Sequence, residues 1–541
     1  MNRSLPVLFV LLLFGTGCSE TTVDRTVTFR IDMQEQIADG SFDPATDAVS
    51  VRGSKTPLSW ESNVPAIDTD ADGIYETDIV FAVASSGETV DYKFVANATN
   101  QRYNEWESGT DRTIAIKDGD LVVARAFNEP PPAARPTLVE KTALLADIDI
   151  MVRAFQELHP GLYRYHDEAS LVATVDDLKR EVEDETDLRT AYLLISRFAA
   201  TIKCSHTYAN FWNQRNSIQK ELFETADKVP FTFRIIGKRM IVTESAANSG
   251  KLTNGDEITS INGSAVTDIL DSLATYVKAD GSNDAKRLYD LQITGFGEFE
   301  AFDVYFPLVF PPAGQQYVFE GTDLTTGEQF VAEEAGVTRK DRERRLTERY
   351  GNRATSVDDL WTFEILNPTT GYMRLGSFVT WKMEMNWKKF FKESFTELNR
   401  QGVGNLILDL RGNEGGDDEV SLELMPYLLK QGIDIDPRRQ LLRYVKVPDD
   451  LVPYANTWDD SFFDRGKSVV PVGDGFYTFR NGSIEPLSLR PARNAFKGNV
   501  YVLVDAANSS ATFYLGQVMQ EYGVATLVGQ ETGGNLRGST A

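Results

Sequence analysis

Ser509 and Ser510 lie where a strand gives way to a helix, a place that can present a hydroxyl for nucleophilic attack. Val500–Val504 is an unbroken apolar run and reads as a buried strand, and Asn508, Ser509 and Ser510 make the turn. From Ala511 to about Tyr522 the apolar residues Phe513, Leu515, Val518, Met519 and Tyr522 recur with helical spacing. A serine at that helix start faces unpaired N–H groups and the positive end of the macrodipole. Acyl transfer needs both a presented hydroxyl and donors aimed at the developing oxyanion. An ordinary N-cap serine would look the same in this segment, because serine is a preferred cap. A second strand, Asn405–Leu410, runs directly into Arg411–Gly416, RGNEGG. Its glycines permit close backbone approach and can turn N–H groups toward an anion. A plain glycine-rich turn is the other reading.

The elements around these turns predict a multidomain α+β chain, since 541 residues suffice for three or four domains. Residues 25–128 hold four alternating segments, RTVTFRIDM, AVSVRGS, GIYETDIVFAV and VDYKFVAN, separated by turn residues. They predict a β-sandwich, similar to starch-binding-type and immunoglobulin-like modules. Trp60 and Trp106 either stack on a sugar there or fill the core. DTDADG, Asp68–Gly73, reads as a hairpin turn; Ile79 at the twelfth position excludes a complete EF-hand loop and leaves a weak calcium site open. Residues 129–137 are a stiff proline-rich linker. Residues 138–215 are helical, with helices near 144–158, 169–184 and 187–202, the first stopped by Pro160. Residues 290–365 look like β-hairpins. The basic run Arg339–Arg353 is interleaved with acids and reads as a solvated helix face.

Residues 1–18 read as a targeting segment, because Leu5–Phe14 is too short to span a bilayer. Gly15–Cys18 resembles a bacterial lipoprotein signal, with Gly15 where leucine is usual. That resemblance implies a lipidated Cys18 and anchorage in the cell envelope, periplasmic or at the outer membrane. Simple secretion is the alternative. No later stretch reads as a transmembrane helix. The other cysteine, Cys204, reads as a small buried residue, with no intramolecular disulfide if Cys18 is lipidated. A formal charge of -25 argues against a nucleic-acid partner, which needs a basic footprint.

LILDLRGNEGG, VLVDAANSSATF and ATLVGQETGG together resemble the core of the tail-specific (C-terminal processing) serine peptidases, of the tricorn-core type. ELHPGLYRY (Glu157–Tyr165), TIKCSHTY (Thr201–Tyr208) and GDEITSINGSAV (Gly255–Val266) are similar to upstream segments of that family, in the expected order. The resemblance spans roughly residues 140–541. It implies a PDZ-like module over 228–275, where a peptide adds as an extra strand and its carboxylate is captured, with Gly255, Asp256 and Ile258 on the peptide-binding side. It implies a crotonase-like α/β peptidase core over 290–541, a polypeptide substrate, and neither metal nor organic cofactor. The sandwich would dock the enzyme to a glycan or other surface ligand.

Most tail-specific peptidases pair the serine with a lysine 25 residues later, but counting from Ser510 reaches Asn535, and the last lysine is Lys497. The tricorn type uses histidine instead. Of the three histidines, His159, His166 and His206, the one in CSHTY matches the family's catalytic position. The resemblance thus implies Ser510 as nucleophile, His206 as general base and acid, and Ser205 orienting the imidazole. It implies an oxyanion hole from the N–H of Ala511 and that of Gly415 or Gly416. Ser509 is the rival nucleophile. In tricorn-type relatives a downstream glutamate acts through the serine; it would fall past Ala541, so the chain reads as a fragment or an incomplete enzyme. Glu531 is a weaker substitute. The other functional reading is an inactive peptide- or glycan-binding surface lipoprotein.

Overall fold

The computed structural model describes residues 22–534, except 40, 85–87, 98–104, 108–110, 117, 118, 120, 128–135, 298, 313, 352, 353, 355, 437–439, 458 and 481–485. Cys18 with the expected signal, most of the linker, and Asn535 lie outside the described residues. The chain divides into two compact units, 1–132 and 133–541.

In the first unit Thr22–Asp32 pairs antiparallel with Ile74–Ala84 and parallel with Leu121–Ala126. A second sheet joins Val64–Ala66, Ala48–Gly53, Glu88–Asn97 and Glu105–Trp106, with Arg112–Ile116 also on Glu88–Asn97. Alternation sends Val27, Phe29 and Ile31 from one sheet and Val49, Val51, Tyr92 and Phe94 from the other into a single core. Trp106 is 1% exposed, so its faces are closed to a sugar, while Trp60 beside it is half-buried. In the DTDADG turn the Asp68 carboxylate accepts the N–H of Ala71 and of Gly73, at 2.7 and 2.9 Å. Carboxylate oxygens of Asp68, Asp70 and Asp72 lie within 4.8 Å of one another.

The second unit opens with helices Lys141–Leu158, Glu168–Arg180 and Leu188–Thr201 around Leu144, Ile148, Leu171, Leu178 and Phe198. Asp167 and Asp187 cap the last two, accepting from Ser170 N and Thr190 N at 2.7 and 2.6 Å. Cys204 is buried in the same core. Next comes a sheet in the order Phe231–Ile236, Arg239–Ser245, Glu257–Ile261, Gln316–Thr322, Gln329–Ala335, flanked by the helix Val266–Leu273. The strand at 257–261 is therefore interior, with neighbours on both edges.

Residues 290–365 are not all hairpins. The hairpin 316–335 joins the preceding sheet, and Ala301–Val309 and Arg339–Tyr350 are helices. Nor is the basic helix simply solvated: Arg342 is 1% exposed and Arg345 6%. Arg342 Nη1 donates to Asp303 Oδ1 at 2.8 Å and to the Val229 carbonyl at 3.1 Å, and a buried guanidinium is tolerable only with such partners. Charge counting along the sequence could not see the carboxylate that waits on another helix.

The last sheet runs Trp361–Asn367, Thr370–Leu375, Asn405–Asp409, Asn499–Val504, Thr526–Gly529; its first pair is antiparallel and the rest are parallel. Helices Trp387–Gln401, Asp418–Leu428 and Ser510–Glu521 pack on it around Phe391, Leu408, Leu424, Val502 and Leu515. The strand at 499–504 alternates in burial, with Tyr501 38% exposed, so only one face is fully covered. Asp409 is opposite Leu503 in neighbouring parallel strands. The glycine loop and the serine turn therefore leave the same end of the sheet side by side, where open α/β sheets place their sites. Among the described residues no helix is long and apolar enough to cross a membrane.

Candidate active site

Ser510 has φ 49°, in the left-handed region that a residue with a Cβ seldom occupies. Such a backbone persists only where its surroundings hold it, and two buried asparagines do so. Asn508, 1% exposed, donates from Nδ2 to the carbonyls of Leu410 (2.6 Å) and Asn413 (3.0 Å) and accepts Asp505 N–H at 2.9 Å. Asn413, 0% exposed, donates to the Leu375 carbonyl at 2.8 Å and accepts from Gly415 N–H (2.9 Å) and Thr512 Oγ1–H (2.7 Å). These amides stitch the glycine loop to the serine turn. Sequence reasoning passed them over as turn residues; the available signal was an asparagine just past the end of each of two adjacent parallel strands.

The two serines differ. Ser509 is 6% exposed and its hydroxyl donates to the Glu414 carbonyl at 3.0 Å. It occupies the N-cap position but makes no side-chain cap bond, so ordinary capping does not explain it. Ser510 is half-buried, and among the described residues its hydroxyl has no hydrogen-bond partner. Gly415 presses on it: a Cβ there would lie 2.9 Å from Ser510 Cβ and 3.0 Å from Ala511 N. The expected oxyanion donors separate. The N–H of Gly415 is committed to Asn413, which removes it from the candidates. Among the described residues the N–H groups of Gly416 and of Ala511, in the first helical turn, have no partner.

Gly415→Ala tests this packing. With φ 106° and no room for a methyl group, the substitution should displace both Ser510 and the Ala511 amide. Acylation should slow by about 10²–10³-fold, the effect of losing an oxyanion donor. The check is the rate of covalent labelling beside the thermal melt.

His206 is exposed on the Lys203–Tyr208 loop. The other two histidines hold that loop. His159 Nδ1 accepts Gly161 N–H at 3.1 Å, so its Nε2 carries the proton and donates to Thr207 Oγ1 at 3.0 Å. His166 Nε2 donates to the Thr201 carbonyl. Ser205 Oγ lies 3.3 Å from His206 Nδ1. No hydrogen bond joins His206 to Ser510. The segment 280–290 touches both sides: Gly281 N–H donates to the Lys203 carbonyl at 2.9 Å, and Asn283 Nδ2 to the Thr532 carbonyl at 2.8 Å. Gly533 N–H in turn donates to the Asn508 carbonyl at 2.8 Å.

A lysine does reach this region, though from before the serine. Lys286, 2% exposed, pairs with Asp290 and lies 3.3 Å from Glu414 Oε2. Burial opposes its charge, but the two carboxylates outweigh that and hold its pKa above the ordinary value. It stays an ammonium and cannot serve as a base. Beside the glycine loop a cleft of about 580 Å³ is walled by Gly412 and Gly415 on one side and by Tyr208, Phe211, Tyr289 and Phe299 on the other. Burial pushes the phenols of Tyr208 and Tyr289 up to about 12, so they line it as neutral hydroxyls.

The residues expected to bind a peptide in the preceding sheet are occupied. Gly255 N–H donates to the Val242 carbonyl at 2.8 Å, the Asp256 carboxylate accepts Thr253 N–H at 2.6 Å, and Ile258 is 1% exposed in the core. Asp256 locks a turn, and the strand it opens has no free edge to which a peptide could add.

Residues 369–540 match the model of peptidase family S41. This segment is an S41 peptidase core. The matched stretch carries the glycine loop, Ser510 and the parallel strands that position them, and it marks the chain as a serine peptidase. The helical region and the sheet that precede the S41 core fall outside the match. No curated protein matches the chain. Among solved structures, mature CPAF complexed with lactacystin is 13% identical, with 73% of this chain and 85% of that one covered and a TM-score of 0.47. The photosystem II D1 C-terminal processing protease is 14% identical over 73% and 82%, with a TM-score of 0.33. The tricorn protease is 13% identical over 85% and 36%, with a TM-score of 0.25.

Proposed function

We propose that this chain is an exported, lipid-anchored endopeptidase that cleaves polypeptides through an acyl-enzyme on Ser510. The observation that carries the reading is the Ser510 turn: a hydroxyl unpaired among the described residues, in a left-handed backbone, at a helix start, against Gly415. Ser510 Oγ attacks the scissile carbonyl while His206 Nε2 takes its proton and later returns it to the leaving amine. The oxyanion is received by the amides of Ala511 and Gly416, each worth on the order of 3 kcal/mol in the transition state. Water then attacks the acyl-enzyme by the same route in reverse. The cleft beside the glycine loop takes the flanking substrate residues.

The test is a fluorophosphonate probe followed by peptide mapping. The adduct is expected on Ser510; an adduct on Ser509 would exchange the two roles. The absence of a Ser510–His206 hydrogen bond favours one rival, a binding protein on an inactive core. Failure of the wild-type protein to label would establish that rival.

The anchor rests on Gly15–Cys18. Cys18→Ser should move the protein from the membrane pellet to the soluble fraction, and retention in the pellet would reject lipidation. The first unit would dock the enzyme to a glycan or surface ligand, for which Trp60 is the remaining aromatic candidate.

A further inference from the structure

We infer that Asp280 is a positioning residue for His206, acting through Ser205; this rests on the catalytic reading above. Asp280 Oδ2 accepts the Ser205 hydroxyl at 2.9 Å, and Oδ1 accepts the Ser205 N–H at 3.0 Å. Both carboxylate oxygens are thus turned to one serine. Among the described residues no cation pairs with Asp280: Lys278 lies over the Tyr208 ring at 3.9 Å and Lys203 over the Tyr165 ring at 5.9 Å. The turn itself is pinned, since Gly281 N–H donates to the Lys203 carbonyl and a Cβ on Gly281 would meet Tyr165 Oη at 3.0 Å.

The proton count sets the tautomer. A hydroxyl has one proton, and a carboxylate only accepts. Ser205 therefore gives its proton to Asp280 and offers a lone pair to His206 Nδ1, 3.3 Å away. The imidazole must then carry hydrogen on Nδ1, which leaves Nε2 bare to accept a proton. The negative charge behind Ser205 also favours the imidazolium that forms when Ser510 is deprotonated. The family resemblance implied a downstream glutamate for this duty; Asp280 comes instead from the turn before the helix Asp284–Asp290.

Asp280→Asn reverses the relay. The amide NH₂ would donate to Ser205, whose proton would turn to His206 Nδ1 and select the wrong tautomer. Fluorophosphonate labelling of the full chain should slow by about 10²–10³-fold, because the bare nitrogen needed to accept the serine proton would be lost. Asp280→Glu should restore part of the rate. In a Ser205→Ala background Asp280→Asn should add little, because the two act in series. Full additivity, or a near-wild-type labelling rate in Asp280→Asn, would overturn the proposal. His206→Ala in the same series separates the two levels: if that variant acylates normally the catalytic reading itself fails, and if it is inactive while Asp280→Asn is unimpaired only the Asp280 role fails.

Discussion

Replacing Ser510 by alanine should abolish labelling by a fluorophosphonate and lower peptide hydrolysis by about 10⁶-fold, the loss seen when a serine peptidase loses its nucleophile. The melting temperature should hardly move. Among the described residues the Ser510 hydroxyl has no partner to lose, and alanine meets the same backbone constraint at φ 49°. Glycine at the same position is the sharper test. It removes the hydroxyl and also the Cβ that makes a left-handed backbone costly. Ser510→Gly should therefore be as inactive as Ser510→Ala but more stable by about 1 kcal/mol, read from denaturant midpoints. An inactive site that is more stable than the active one is the mark of strain held for function. Were glycine and alanine equally stable, the turn would carry no strain, and the left-handed serine would lose its functional meaning. Retained labelling in either variant would move the nucleophile to Ser509, despite that hydroxyl's bond to the Glu414 carbonyl.

What the sequence revealed and what it concealed divide along one line. Local patterns were legible: the strand and helix on either side of Ser510, the glycine run after Asp409, the three helices between 141 and 201, and the alternating strands of the first unit. Each is written in consecutive residues, where periodicity and turn chemistry act directly. Pairings between distant segments were not legible. That Asn413 and Asn508 clasp the two loops follows from parallel neighbours nearly a hundred residues apart. That Arg342 is buried follows from Asp303 on another helix. Gly255, Asp256 and Ile258 were placed on the peptide-binding side by resemblance alone, and the hairpin 316–335, which closes the far edge of the strand at 257–261, lies well downstream. Gly415 and Gly416 could not be told apart until Asn413 was seen to take the first of their amides.

His206→Ala is expected to lower acylation by on the order of 10⁴–10⁶-fold with folding intact, since a serine hydroxyl is inert without a base to take its proton. The two remaining histidines are the controls. His159 and His166 bond Thr207 and Thr201, at either end of the segment carrying His206. Their alanine variants should lower stability, by about 1–3 kcal/mol for a lost buried hydrogen bond, yet keep a measurable rate. Only His206 has its Nδ1 facing the Ser205–Asp280 pair, and its Nε2 has no partner among the described residues. The lack of a bond to Ser510 does not remove His206 as the base, because catalytic hydrogen bonds are often long in unliganded enzymes and tighten when substrate binds. The segment 280–290 bonds the His206 loop through Asp280 and Gly281 and the serine side through Asn283. A covalent adduct on Ser510 should therefore bring His206 Nε2 within hydrogen-bond distance of the bound oxygen, which a structure of the labelled protein would show. Wild-type turnover in His206→Ala would remove histidine from the mechanism. Lys286 could not take its place, because Asp290 and Glu414 keep that amine charged.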